Sequence, residues 1–339
     1  MIKRSGDGSV KIEFPKDLLK KKICINYINR SKSASISIDS DCKEPVSLSF
    51  LKDIKYTEIV KRLRLCGNID ITDAVYRFTE ITDLDYFVKN KNTSIDISKF
   101  PKAKILCTTS PNQIKNLDES NVAAYAQYDD GKVSPEVFQK LNGLVDLRLH
   151  GPKDFSFKYI ANPEKLKIVF FTQCNIKNLS GIDRISNLHL LCLCYCRSIS
   201  SIEGVSKLTK LKKVLIESCP RLTDISELGK MENLKVLILQ NIKNCDLSFL
   251  EDMACAQSLE CLVLRNCGSI PSIKFLDKYP KLKCFDFLYT NVVDGDLTPC
   301  LRLESVTTFN KRHYNLKYEQ LPDGDGFMKW GAEENDTDH

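Results

Sequence analysis

The sequence predicts an α/β solenoid, in which stacked repeats each contribute one strand to a parallel sheet. A phrase of the form leucine-x-x-apolar-x-apolar occurs seven times, and its opening residues are Leu144, Leu166, Leu188, Leu211, Leu234, Leu259 and Leu282. The steps between them are 22 to 25 residues, a period typical of one supersecondary unit per repeat. Positions four and six are apolar in every copy, which is the alternation expected of a strand with one buried side.

The ninth position of the phrase carries small side chains, with cysteine in four of the seven repeats: Pro152, Cys174, Cys196, Cys219, Ile242, Cys267 and Thr290. A small residue is needed where the chain turns inward after the strand, and a buried thiol behaves as a small hydrophobe with a weak donor. The residues resemble the leucine-rich repeat family, which has asparagine or cysteine at this position, in its short internalin-like bacterial subclass. That resemblance implies a horseshoe with parallel strands on its concave face, and a way of binding, but no activity.

The repeats divide the chain into five predicted segments. Residues 144–302 hold the regular repeats, and residues 33–143 hold degenerate ones that open at Val60, Ile81, Ala103 and Val122. The alternative for 33–143 is a separate N-terminal domain that ends near Gly131 or Pro135. Residues 1–32 are basic and predict an N-terminal cap, with a short helix around Lys16–Lys22, although a basic arm is the other interpretation. Residues 303–322 predict a C-terminal cap, because the eighth phrase there loses its apolar sixth position.

Residues 323–339 are acidic, with six acidic residues and one lysine, and their composition predicts a disordered tail in which Trp330 could be anchored. The chain carries a net charge of +6, so a tail of −5 leaves +11 on the remaining residues. Fifteen cysteines without an apolar N-terminal signal predict free thiols and a cytoplasmic location. No apolar run is long enough to cross a bilayer.

Catalytic and metal motifs are weak in this sequence, so we expect no enzyme activity, no cofactor and no metal. Cys192, Cys194 and Cys196 could suggest a metal site, but the repeat register places Cys192 and Cys194 on one strand face, about 7 Å apart, and Cys196 in the turn. Cys261 and Cys284 occupy equivalent positions of neighbouring repeats, so we expect them to be adjacent. Cys284-Phe-Asp286 matches the Cys-x-Asp motif of certain bacterial ubiquitin ligases, but it lies inside a repeat strand instead of a separate helical domain.

Strand alternation predicts the binding surface. If positions four and six are buried, positions three, five and seven line the opposite face of the sheet, which we call the odd face. Its middle is apolar and its edges are polar, a combination that indicates a protein-binding surface. The predicted partner-binding residues, including Tyr195 at the rim, are Arg148, Ile168, Phe170, Leu190, Cys192, Tyr195, Leu215, Glu217, Ile238, Gln240, Val263, Arg265 and Asp286.

Two functions follow from these patterns. The first is a non-enzymatic interaction module that holds a protein partner on the odd face, as a bacterial effector, a regulator or a toxin-neutralising protein. The alternative is a binder of nucleic acid or another anionic surface that uses the basic body of the chain. The odd face of the regular repeats carries Arg148, Lys213 and Arg265 against Asp146, Glu217 and Asp286, a balance that favours the protein partner.

Overall fold

The computed structural model describes residues 3–4, 10–14, 21–128 and 133–323, and the chain forms two compact units. The first unit comprises Met1–Asp129, Ser134–Arg148 and Tyr159–Asn162, and the second comprises Asp130–Val133, Leu149–Lys158 and Pro163–His339. The acidic tail predicted over 323–339 lies outside the described residues after Asp323. The helix predicted around Lys16–Lys22 also lies outside them, except for its last two residues.

Twelve strands lie in the described residues of the first unit, and the last of them continues into the second unit: β1 (Lys3–Arg4), β2 (Val10–Phe14), β3 (Ser35–Ser40), β4 (Val46–Ser47), β5 (Arg62–Gly67), β6 (Ile69–Asp70), β7 (Asp83–Val88), β8 (Ile95–Asp96), β9 (Ile105–Thr108), β10 (Ile114–Lys115), β11 (Ala124–Tyr128) and β12 (Asp146–His150). Strands β2, β3, β5, β7, β9 and β11 pair in parallel in that order, and β1 is antiparallel to β2. The register aligns Leu63, Leu84, Leu106 and Tyr125, which is the alignment that the degenerate phrases predict.

Helices lie outside this sheet. Helix α1 (Lys21–Ser31) buries Cys24, Ile25 and Ile28, and α2 (Pro135–Lys140) begins with a proline, which is favoured in the first turn. Of the predicted helix, Lys21 and Lys22 are described and are helical, and α1 continues to Ser31. Single 3₁₀ turns complete the repeats of the first unit: Leu48–Asp53, Thr57–Ile59, Asp73–Arg77, Ile97–Lys99, Pro111–Gln113 and Leu117–Glu119.

The second unit repeats one strand and one 3₁₀ helix. Its strands are β13 (Ile168–Thr172), β14 (Leu190–Cys194), β15 (Lys213–Glu217), β16 (Val236–Gln240), β17 (Cys261–Arg265), β18 (Ser269–Ile270), β19 (Cys284–Asp286), β20 (Asn291–Val292) and β21 (Ser305–Thr307). Its 3₁₀ segments, the first of which ends in the other unit, are Phe157–Tyr159, Pro163–Lys165, Ile182–Arg184, Val205–Lys207, Ser226–Lys230, Ser248–Asp252, Lys274–Lys278, Thr298–Arg302 and Tyr318–Gln320. Leucine and isoleucine from these segments close the core behind the sheet, for example Ile182 and Leu228.

The parallel sheet of the second unit has the predicted register. Strands β13, β14, β15, β16, β17, β19 and β21 pair in that order, and position four of each repeat faces position four of the next, as in Val169↔Leu191 and Leu237↔Leu262. The side chains at positions four and six are between 0 and 1% exposed. The predicted fold class is therefore confirmed, and the odd face is the opposite face of this sheet.

Each of the seven regular repeats has a left-handed residue at position eight, after its strand, which the repeat phrase did not reveal. The residues with positive φ there are Gly151, Gln173, Tyr195, Ser218, Asn241, Asn266 and Tyr289. In the first six repeats the backbone N–H of this residue donates to the position-seven carbonyl of the next repeat, as Tyr195 does to Glu217 at 2.8 Å. The left-handed residue thus adds one more rung to the sheet before the chain turns inward.

The cysteines at position nine form a ladder of hydrogen bonds. The thiols of Cys174, Cys196, Cys219 and Cys267 each donate to the position-six carbonyl of the preceding repeat, over 3.3 to 3.6 Å. In the seventh repeat the Thr290 hydroxyl makes the same bond. Because a buried carbonyl without a donor costs free energy, these five residues at position nine contribute a donor as well as a small volume.

Candidate functional site

The apolar row of the odd face runs along position five of the second unit. Strand register places Phe170, Cys192, Leu215, Ile238 and Val263 directly beside one another, and the row ends at Asp286. Neighbouring members lie on strands about 4.8 Å apart, so their side chains touch. The structure therefore brings the predicted stripe together as one surface.

The first part of the odd face is only partly covered. Ile168, Phe170, Leu190 and Leu215 are half-buried, although their repeat neighbours on the core face are fully buried. These side chains keep apolar surface that a partner can cover. We call these four residues, which lie at positions three and five, the half-buried row, and they are predicted apolar site residues that keep accessible area.

The second part of the odd face corrects the prediction that positions three and five face solvent. Val236, Ile238, Cys261, Val263 and Cys284 are between 0 and 5% exposed and form an apolar cluster of their own, against which Leu215 packs. Cys192, two repeats before Ile238, is also buried, with 3% exposed. These branched and small side chains interlock between neighbouring strands. The five residues therefore form a closed apolar layer, which we call the floor, and Ile238 and Val263 are not accessible to a partner.

A buried ion pair borders this apolar cluster. Asp286 is fully buried, and its carboxylate accepts hydrogen bonds from Arg265 Nε, at 2.9 Å, and from Arg265 Nη2. Arg265 is itself 25% exposed. The guanidinium gives the buried carboxylate its hydrogen-bond donors and an opposite charge, so Arg265 and Asp286, both predicted as partner-binding residues, are also structural here.

Two predicted polar residues, Tyr195 and Gln240, are hydrogen-bonded to a third, Glu217. Its Oε1 accepts hydrogen bonds from the Tyr195 hydroxyl at 2.7 Å and from Gln240 Nε2 at 3.3 Å. The hydrogen bond to the carboxylate raises the pKa of Tyr195, which is 44% exposed in the left-handed position eight. A tyrosine is a costly choice where glycine or asparagine adopts positive φ more readily. Such a residue suggests a role outside the fold.

Arg148 lies in the first unit, where its guanidinium donates to both carboxylate oxygens of Asp146. That unit has its own charged odd face, which the degenerate phrases did not reveal. Arg62 and Arg64 lie on β5 around the buried Asp85, with Arg62 Nη2 at 2.8 Å and Arg64 Nη1 at 4.0 Å from Oδ2. The sequence signal for this face was the alternation of Arg62 and Arg64 on β5 and of Asp83 and Asp85 on the neighbouring strand β7.

A basic rim borders the odd face of the second unit at position two, immediately before the strands. Lys167 and Lys212 occupy it, and Lys210 lies beside them. Burial, followed by the positive charges of these three lysines, lowers the pKa of His189, which is at position two of the repeat between them. The rim was missed because the lysines are scattered in sequence and align only when the repeats are stacked.

The thiols give little support for catalysis or metal binding. Cys192 Sγ and Cys194 Sγ are 3.4 Å apart, closer than strand spacing predicts, because the two side chains turn toward each other. Cys196 turns inward to the ladder. Within residues 3–4, 10–14, 21–128 and 133–323, no three His, Cys, Asp or Glu side chains are arranged to hold a metal ion.

Burial suppresses thiol reactivity in both units. It raises the pKa of Cys107 and Cys300 to about 12. Cys261 and Cys284 are adjacent, as expected, and the hydrogen bond between them raises the pKa of Cys261 and lowers that of Cys284. Cys284 is 2% exposed, so the Cys-x-Asp letters mark a packed strand, where an incoming electrophile has no access to the sulfur.

No helix in the described part of the chain combines the length and apolar character that a membrane span requires. A scan against protein-family models and a search of curated proteins both give no match for the sequence.

Solved structures do match the fold. A leucine-rich repeat protein of Leptospira interrogans superposes with a TM-score of 0.58 at 16% identity, covering 89% of this chain and 78% of that one. Internalin C2 of Listeria monocytogenes gives a TM-score of 0.47 at 22% identity, with 57% and 82% covered. The repeat domain of the type III effector XopL gives 0.43 at 16%, with 66% and 75% covered. The repeat phrase, the parallel register and the likeness to the Leptospira structure show that this chain has a leucine-rich repeat fold.

Proposed function

We propose that the chain is a non-enzymatic interaction module that binds a protein partner through the odd face of its second unit. The observation that carries the proposal is the half-buried apolar row of Ile168, Phe170, Leu190 and Leu215 on an otherwise closed floor. A contiguous apolar patch with polar neighbours is the usual composition of an interface centre.

The surroundings of the row support the same function. The Glu217 carboxylate, with Tyr195 and Gln240 bound to it, presents fixed hydrogen-bonding groups beside Leu215. Aromatic side chains of this kind often contribute most at interfaces, because they cover much area with few rotatable bonds. The rigid floor of Ile238 and Val263 keeps these groups in place before a partner arrives, which lowers the entropic cost of binding.

The experiment is capture of partners from the native cell on immobilised full-length protein. Variants distinguish the loss of the odd-face surface from a loss of folding. Phe170→Glu and Leu215→Glu place a charge in the half-buried row, and we expect specific partners to be lost with both. Leu301→Glu is the matched control, because Leu301 is 49% exposed in the 3₁₀ helix Thr298–Arg302, away from the sheet. Partners retained by both face variants would contradict the proposal.

The basic rim supports a second candidate function, the binding of an anionic surface or nucleic acid. Lys167, Lys210 and Lys212 form its most concentrated part, and their charges, after burial, lower the pKa of His189. The two functions differ in salt dependence, because each phosphate contact releases counterions and makes affinity fall steeply with salt. Binding that is lost with Lys167→Gln and Lys212→Gln but kept with Leu215→Glu would favour the second candidate.

A further inference from the structure

We propose that the partner segment held by the second unit is an acidic amphipathic helix, which places apolar side chains on the half-buried row and carboxylates along the basic rim. The inference rests on the proposed function for the role of the half-buried row, and it adds the chemistry and the orientation of the partner. Three observations carry it: the ion pairs at position two, the strand at which they begin, and the spacing of the lysines.

The residues at position two form one line across the second unit, at the start of its strands. The backbone N–H groups of His189 and Lys212 donate to the carbonyls of Lys167 and His189, at 2.8 and 2.9 Å, so these three residues follow one another on consecutive repeats. The same ladder continues through Lys235 and Glu260. The charges along this edge of the sheet can therefore be compared repeat by repeat.

From β16 onward, each lysine of this line is ion-paired. Lys235 Nζ lies 2.8 Å from Glu260 Oε1, and Lys283 Nζ lies 3.3 Å from Glu304 Oε1. In both pairs the glutamate is at position two of the next repeat, so lysine and glutamate alternate along the line. The protein thus compensates its own charge beside the floor.

The earlier repeats lack this compensation. Lys167 and Lys212 are exposed, and neither forms an ion pair with an acidic side chain in the described part of the chain. The Lys210 ammonium donates to the amide oxygen of Asn187 at 2.5 Å, which is a neutral acceptor. Burial and then the three lysines lower the pKa of His189, so it adds little charge at neutral pH. This part of the rim is basic and suited to carboxylates.

The change in charge occurs at the same strand as the change in apolar packing. Leu215 on β15 is half-buried and follows Lys212, whereas Val236 on β16 belongs to the floor and follows Lys235. At these positions, β13–β15 combine accessible apolar area with uncompensated positive charge, and the later strands have neither. Two independent properties select the same three strands, as expected of one surface with an apolar centre and a charged border.

The other end of these strands fixes the orientation of the partner. The carboxylate of Glu217, at position seven of β15, already accepts hydrogen bonds from Tyr195 and Gln240. An acidic group of the partner would meet a like charge there, whereas at position two it would meet Lys167 and Lys212. The acidic side of the helix therefore faces the start of the strands.

The spacing of the lysines fits a helix that lies across the strands. Lys167 on β13 and Lys212 on β15 are two strand spacings apart, or about 10 Å. Residues i and i+7 of a helix share one face and lie about 10.5 Å apart, whereas same-face residues of an extended chain repeat about every 6.7 Å. Apolar side chains at the helical spacing reach Phe170 and Leu215, which lie on the same two strands.

The test uses a synthetic helical probe of about 20 residues, with leucines on one face and glutamates along one edge of that face. We expect it to bind the whole chain, and its affinity should fall as salt is added, because exposed charges are screened. Lys167→Gln with Lys212→Gln should weaken binding about tenfold and reduce the salt dependence. Lys235→Gln with Lys283→Gln is the matched control, because it removes the same charge from position two at the same strand spacing, and it should leave the affinity nearly unchanged.

Two further measurements locate the probe. A second probe with lysine in place of every glutamate keeps the apolar face and should bind at least several-fold more weakly. Leu215→Glu, or Leu215→Ser if that variant does not fold, should abolish binding of the acidic probe. In an NMR titration the acidic probe should raise the pKa of His189, because its carboxylates offset the lysine charges that lower this pKa.

An acidic probe that does not bind would overturn the inference, as would equal binding of the lysine probe or equal losses from the two lysine pairs. The proposed function fails separately, if Leu215→Glu retains the partners captured from the native cell. Capture that is lost with Leu215→Glu but kept with Lys167→Gln and Lys212→Gln would refute the acidic helix and retain the function. Capture lost with this lysine pair alone would indicate an anionic surface and would also overturn the inference.

Discussion

Ile238 should contribute to stability like a core residue, although it lies on the odd face. Its side chain is 4% exposed and packs among Val236, Cys261 and Val263. Ile238→Ala removes three carbon groups at about 0.8 kcal/mol each, and the cavity left in a closed cluster adds to this loss. We expect a decrease of about 3 kcal/mol in the free energy of unfolding. For a unit of this size, that corresponds to a thermal midpoint about 6–12 °C lower.

The assay is urea denaturation followed by circular dichroism, with two comparison variants. Leu237→Ala, on the core face of the same strand, should cost about 2–5 kcal/mol. Leu215→Ala should cost about 1–2 kcal/mol, because its half-buried side chain loses less contact. If Ile238→Ala costs less than about 1 kcal/mol and no more than Leu215→Ala, the odd-face cluster is not packed as described, and the account of the floor is refuted.

Three further predictions concern the cysteines. Cys219→Ser should change the free energy of unfolding by less than about 1 kcal/mol in urea denaturation. Cys219→Val should lower it by about 1–3 kcal/mol, because valine leaves the Leu193 carbonyl without a donor. Equal losses in the two variants would contradict the hydrogen-bond ladder. Thiol titration of the unfolded, unreduced protein should find close to fifteen free cysteines, and a large shortfall would contradict their assignment as reduced. Stability should decrease from about pH 9 toward pH 12, because burial raises the folded-state pKa of Cys300 to about 12, so the unfolded chain ionises first and binds fewer protons. Thermal midpoints that stay constant between pH 8 and pH 10 would contradict this pH dependence.

The repeat phrase predicted the fold because its apolar positions are the buried positions of each strand. Positions four and six must be apolar for the sheet to pack, so Leu237 and Leu239 could be assigned to the core from spacing alone. In the first unit the phrase is degenerate, yet Leu63 and Leu84 still align in the structure. The number of residues per repeat is kept there because each strand must pair with the next one. This pairing constrains the repeat length more strongly than it constrains the identity of the side chains.

The odd face could be located from sequence but its burial could not. Alternation assigns Ile238 and Leu215 to the same face and gives no information on how neighbouring strands crowd them. Alternation alone predicts an accessible Ile238 that contacts a partner, whereas its burial makes a charge at this position destabilising. The basic rim could not be predicted for a related reason. Lys167 and Lys212 are 45 residues apart in sequence, and only the strand register places them on either side of His189.

The left-handed conformation at position eight had a sequence signal in three repeats, at Gly151, Asn241 and Asn266, and none in the other four. Glycine or asparagine would have indicated positive φ, but Tyr195, Gln173 and Tyr289 occupy the same conformation. The backbone rung to the next repeat provides the compensation in the first two of these positions, and it depends on tertiary structure. The hydrogen bond between Tyr195 and Glu217 likewise joins residues of two repeats and has no local pattern.

The central claim, that the half-buried row of the odd face holds a protein partner, is tested most directly by quantitative capture with matched variants. Full-length protein, Leu215→Glu and Leu301→Glu would be immobilised at equal density, after circular dichroism and the thermal midpoint have shown that all three fold. Our account predicts that a defined set of partners is retained by the unmodified protein and Leu301→Glu and is lost from Leu215→Glu. Equal retention by Leu215→Glu would contradict it.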